Sequence, residues 1–136
     1  MFELKDVVEA LEASWNRDTA FDKDDWNTEN PARGHCVVSS LVVQDYFGGE
    51  LLGYSVEGPG IRETHFVNQL EDGTVIDTTE TQYISTVHMT LKSVRLDGFA
   101  SIREKRLSDN DTRRRYEFLK SRVESYLAHH AAGASS

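Results

Sequence analysis

Apolar residues recur along the chain with two different periods, and the places where the period changes mark the predicted elements. Leu4, Val7, Val8, Leu11 and Trp15 repeat at helical spacing opposite Glu3, Lys5, Glu9 and Glu12, which predicts an amphipathic first helix over residues 3–17. The pattern then dissolves into a polar stretch, 16–31, that holds Phe21 and Trp26 and reads as a long connection anchored by the indole. From Cys36 to Phe47 the chain turns largely apolar through Val37, Val38, Leu41 and Val42, and Gly48-Gly49 stops it. This predicts a buried central helix that begins at the cysteine.

Alternating patterns follow. Leu51, Leu52, Tyr54 and Val56 predict a strand over 50–57, ended by Gly58-Pro59-Gly60, and residues 64–70 with 74–77 predict a hairpin. Its loop length decides which side chains share a face. A two-residue Asp72-Gly73 turn would pair Asn68 with Asp77 and leave His65 on the far side. A three-residue loop of Glu71, Asp72 and a left-handed Gly73 pairs Val67 with Asp77 and puts His65, Val67, Val75 and Asp77 together. The second register is the expected one.

Thr79-Glu80-Thr81-Gln82 fits a capping box that opens a short helical turn through Tyr83. Residues 86–102 carry Val87, Met89, Leu91, Val94 and Leu96, enough for one or two strands with a turn at Asp97-Gly98. Tyr116, Leu119, Val123, Tyr126 and Leu127 predict a last helix, capped by Asn110 or Asp111 and ending near Ala128, with 129–136 as a frayed tail. Residues 1–128 thus read as a single α+β domain. The N-terminal helix and the cysteine-bearing helix pack on a central antiparallel sheet of four or five strands, and the C-terminal helix covers an edge or face.

Charge narrows the functional classes. The formal net charge of −8 argues against a nucleic-acid partner. The basic run from Arg103 to Arg115 is interrupted by Asp109 and Asp111 and reads as a solvated helix face. No apolar run approaches the ~20 residues that span a bilayer, and Met1 to Asp6 lacks a signal-peptide pattern, so a cytoplasmic protein without a membrane partner is expected. The single cysteine excludes an internal disulfide and agrees with a reducing compartment.

That cysteine carries the candidate chemistry. Backbone N–H groups at a helix start favour a thiolate over a thiol, but by only ~0.3 to 1 kcal/mol. Ionising a free thiol of pKa ~8.5 well below neutrality takes ~4 kcal/mol, so a cationic neighbour is needed. His65 is the candidate base and Asp77, on the neighbouring strand, the group that orients its ring. A metal site built from His35, Cys36, His65 and Asp77 is disfavoured because adjacent side chains at a helix start diverge. No metal or other cofactor is expected.

At these residues the chain resembles the papain-like cysteine hydrolase superfamily in its broad sense, including the transglutaminase-like folds. Asn30-Pro31-Ala32-x-Gly34-x-Cys36, the run from Leu41 to Glu50, His65-Phe66-x-Asn68 and Asp77-x-Thr79-x-x-Gln82 more narrowly resemble the small bacterial YunG-like proteins, over residues 14–125. The resemblance implies a papain-like core and a Cys36, His65, Asp77 triad. It also marks two departures. His35 stands where the YunG-like pattern has glutamine, and Asn30 occupies the place comparable to the oxyanion-hole glutamine of papain-like enzymes. Asn68 is an alternative orienting residue that the expected register turns away.

The leading functional expectation is a cysteine hydrolase or acyl transferase acting on a peptide, glutamine side-chain or isopeptide amide. A non-catalytic peptide- or ligand-binding domain on the same scaffold is the alternative, and an oligomerising interaction protein the third.

Overall fold

The computed structural model describes residues 2–134, with side chains as far as His130. Its elements are α1 (Leu4–Ser14), α2 (Cys36–Phe47), β1 (Glu50–Gly58), β2 (Ile61–Gln69), β3 (Val75–Ile76), a 3-10 turn (Glu80–Gln82), β4 (His88–Lys92), α3 (Ile102–Leu107) and α4 (Asn110–Ala134). The strands form one antiparallel sheet in the order β3-β2-β1-β4. The coarse α+β expectation therefore holds.

Helix α2 is the middle layer. Six consecutive residues, Val38 to Val43, are buried, so the helix is enclosed around its whole circumference rather than along one stripe. One side rests on β2 and β1, and the other receives α1 and α4. This corrects the expected layering: α1 and α4 pack mainly on each other and on α2, not on the sheet. The physical reason is the apolar character of α2 on every side, which offers the outer helices a surface that a polar-backed helix would not. Val7, Leu11, Leu41, Leu119 and Val123 meet there as fully buried members of one core.

The helix ends at the predicted glycines, both with positive φ, +72° at Gly48 and +77° at Gly49. A Cβ at Gly49 would fall onto the Gln69 carbonyl, so only glycine permits β1 to start directly beside the end of β2. At the other end of α1 the chain leaves the helix three residues earlier than predicted. Trp15 is extended, its indole N–H donates to Ser39 Oγ at 2.9 Å, and Asn16 Oδ1 accepts from the amides of Asp18 and Thr19. That local turn competes with the helix.

The hairpin takes the expected register. Asn68 pairs with Ile76 and Gln69 with Val75, Leu70 N–H donates to the Thr74 carbonyl, and Gly73 has φ +91°. Three residues thus close the loop. Residues 86–102 yield one strand, β4, and a turn in which Asp97 and Gly98 are left-handed.

The C-terminal segment departs from expectation in four ways. Asp109, not Asn110 or Asp111, caps α4, because its carboxylate accepts from both the N–H and the hydroxyl of Thr112. Helix α3 precedes it, with Ser101 Oγ accepting from Glu104 N–H. Helix α4 continues through 129–134 beyond the end predicted near Ala128, since hydrophobic periodicity registers only the packed turns while His and Ala still sustain a helix. Residues 135 and 136 of the expected tail lie outside the described residues. The basic run is a solvated face only in part: Arg113 and Arg114 are exposed, the latter paired with Asp111, while the other cations turn inward. Arg103 binds Asp45, the Leu41 carbonyl and Tyr116, Lys105 binds Asp97 and the Arg95 carbonyl, and Arg115 is buried against Thr19 and Asp111.

Candidate active site

Cys36 occupies the first turn of α2 and is half-buried. The preceding residue, His35, makes no side-chain capping bond, so the first-turn amides remain free to face a ligand. Gly34, at φ +81°, brings the chain to that turn, its carbonyl accepting from Phe21 N–H at 2.9 Å.

His65 lies on β2 with a fully buried ring. Its Nε2 is 2.8 Å from Asp77 Oδ2, while Asp77 Oδ1 accepts from Thr79 N–H at 3.1 Å. Both carboxylate oxygens are therefore engaged, which fixes the imidazole as well as the acid. The other ring nitrogen, Nδ1, lies 3.4 Å from Gln82 Nε2, and the ring packs edge-on against Tyr83.

Burial alone would lower the pKa of this imidazole. Hydrogen bonds to Asp77 and Cys36, together with the electrostatic pull of both groups on the protonated ring, outweigh it and raise the value to about 9. The thiol thus acts on the same ring as the carboxylate. Since Nε2 is committed to Asp77, Nδ1 is the nitrogen left for the sulfur. Cys36, His65 and Asp77 are brought together as predicted.

The three weaker candidates are not. His35 is fully buried on the opposite side of the helix start, with Nε2 2.6 Å from Thr19 Oγ1, Nδ1 3.2 Å from the Arg33 carbonyl, and its ring against Trp15. Burial, opposed by backbone hydrogen bonds and helped by Arg115, lowers its pKa to about 4, so it is a neutral packing residue near pH 7. Asn30 donates its side-chain amide to the Gln82 carbonyl at 2.9 Å, which supports the 3-10 turn rather than an oxyanion. Asn68 donates to the Ser40 carbonyl at 2.9 Å, tying β2 to α2 through the sheet face that His65 does not occupy.

Arg33, Glu63, Tyr83 and Gln82 complete the site, and motif reading passed over the first two. Arg33 makes a two-pronged pair with Glu63, 2.9 Å for each nitrogen, and also donates to Gln82 Oε1 at 3.3 Å and Asp25 at 3.3 Å. Tyr83 donates its hydroxyl to Glu63 Oε2 at 2.8 Å. Burial opposes ionisation of Glu63, yet the bonds from Arg33 and Tyr83 hold its pKa below the ordinary carboxylate value. The phenol of Tyr83 is pushed up by burial and by Glu63. Because Arg33 takes Oε1 of Gln82, its Nε2 is turned toward Thr79 Oγ1 and the imidazole.

The capping box is correspondingly corrected: the 3-10 turn forms, but Gln82 reaches the Thr79 hydroxyl, not its backbone amide. Gln82 stood in the motif quoted for the resemblance and was legible there. Arg33 and Glu63 lie thirty positions apart and left no local signal.

A cleft of about 320 Å³ opens beside this group, lined by Cys36, Arg33, Glu63, Phe66, Gln82 and Arg106 among others. Among the described residues no group of three or more His, Cys, Asp and Glu side chains is placed to hold a metal ion, and no helix is long and apolar enough to cross a membrane.

A family model described as "YunG protein" matches residues 3–128. The uncharacterized protein YunG of Bacillus subtilis (strain 168) is 30% identical over 102 residues, covering 74% of this chain and 82% of that protein. No solved structure matches the chain.

Proposed function

The chain belongs to the YunG family, and we propose that it is a cysteine hydrolase or acyl transferase of amide bonds working through Cys36, His65 and Asp77. The observation that carries this reading is the buried imidazole held on one nitrogen by Asp77, with its other nitrogen left for the thiol and a pKa of about 9. Near pH 7 such a ring is an imidazolium, with a proton on each nitrogen. The arrangement resembles that of papain-like cysteine hydrolases.

In the forward step the Cys36 sulfur, as thiolate, attacks the carbonyl carbon of the amide and forms a C–S bond. The oxyanion is received by the free first-turn amide of Cys36 and by Gln82 Nε2, which is already aimed at this space by Arg33 and Thr79. His65 passes its proton to the nitrogen as the C–N bond breaks, and the amine departs. Water or an acceptor amine then attacks the thioester, His65 takes its proton, and the sulfur leaves as thiolate. Asp77 keeps the ring in place and stabilises the imidazolium throughout.

Alkylation of Cys36 by iodoacetamide tests the reading. The wild-type protein should react at pH 6 far faster than a free model thiol, and His65→Ala should bring the rate down to that of the model thiol. A wild-type rate equal to the model thiol's would reject it.

A further inference from the structure

The other two arginines that line the cleft are already paired. Arg33 is held by Glu63 and Asp25, and Arg115 by Asp111. Arg106 differs. Among the described residues it makes no ion pair, and its Nε is buried without a hydrogen-bond partner. Its guanidinium stacks on Phe66 with the central carbon 4.6 Å from the ring centroid, and both residues line the cleft that holds Cys36.

The terminal nitrogens, which unlike Nε are not sealed from solvent, have no hydrogen-bond partner among the described residues, and a guanidinium laid on an aromatic ring is a prepared surface for a planar anion. A carboxylate there would gain a charged hydrogen bond, and its two oxygens match the fork of the guanidinium. The surrounding chain, with a net charge of −8, repels anions in general, so attraction at this point has to be local. Packing against Phe66 leaves the guanidinium without an anionic partner, whereas Arg33 and Arg115 beside it each have one.

We propose that Arg106 is the recognition residue for a carboxylate on the substrate, so that the amide processed at Cys36 carries an acidic group close to the scissile carbonyl. The substrate role rests on the catalytic reading above. The preference for a carboxylate does not, because it can be read from the thiol alone.

Iodoacetate and iodoacetamide deliver the same reacting carbon, one beside a carboxylate and one beside a neutral amide. The rate of iodoacetate divided by that of iodoacetamide cancels general changes in thiol reactivity. In the wild-type protein this ratio should exceed that of a free model thiol and fall with added salt. Arg106→Gln should lower it about tenfold, with Arg106→Lys between the two. A wild-type ratio at or below the model thiol's, or one that R106Q leaves unchanged, overturns the proposal. If R106Q does not fold, the wild-type ratio and its salt dependence decide. Slow reaction with both reagents, insensitive to His65→Ala, would instead reject the catalytic reading while the ratio still reports on Arg106.

Discussion

His65 and Asp77 meet at 2.8 Å across the hairpin, one residue beyond the last paired position of β3. Asp77 is therefore close enough to the ladder to be placed by it, yet free to turn one oxygen to the ring and the other to Thr79 N–H. Asp77→Asn preserves the shape and an acceptor while removing the charge. The His65 titration, followed by NMR, should move down from about 9, because the hydrogen bond and the charge of Asp77 both raise it. Iodoacetamide alkylation at pH 6 should slow by about tenfold, one pKa unit's worth of lost stabilisation. An unmoved titration would show that Asp77 does not govern the ring.

The other buried imidazole is shifted the opposite way. His35 has a folded pKa of about 4 against 6.5 when exposed, so between these values the unfolded chain binds a proton that the folded chain refuses. Its contribution to stability is present above pH 6.5 and is lost as pH falls through about 4. Denaturant unfolding should show a loss of about 3 kcal/mol from this residue across that window, for a shift of that size. In His35→Gln, which cannot take the proton, the acid loss should shrink by that amount relative to wild type.

Glu63 joins Arg33 and Tyr83, and Arg33 in turn orients Gln82. Glu63→Gln should cost about 1 to 2 kcal/mol in chemical unfolding, since the pair is partly screened and only partly buried. It should also slow acyl transfer, through the freed Gln82 amide. Unfolding midpoint and rate, measured on the same preparation, check both effects.

Gln82 offers a way to separate the oxyanion from the nucleophile. Acylation by p-nitrophenyl acetate passes through a tetrahedral oxyanion, whereas displacement of iodide from iodoacetamide does not. Gln82→Ala should slow the first by about a hundredfold, the usual size of one lost oxyanion donor, and affect the second much less. Equal losses in both would place Gln82 in support of His65 instead.

How much of this was legible depended on the range of the determining contacts. Gly73 and the count of loop residues fixed the face shared by His65 and Asp77, because a strand register is a local decision. The start of α2 at Cys36 and its end at Gly48-Gly49 were equally local. Arg33, Glu63 and Arg106 were not, since each acquires its meaning from a partner brought near only by folding. Asn30 and Gln82 illustrate the same limit: both amides stood in the quoted motifs, but only the tertiary bond from Arg33 decides which one faces the imidazole. The inward-turned Arg103 and Lys105 were not legible from the run because their anions, Asp45 and Asp97, lie outside it.

The enclosure of α2 by sheet and helices has a practical outcome for anyone assaying the thiol. Its sulfur rides on the first turn of a rod clamped from both sides. Reactivity and tertiary structure should then disappear along the same melting curve, and a labelling reagent at Cys36 would serve as a thermometer for the whole domain.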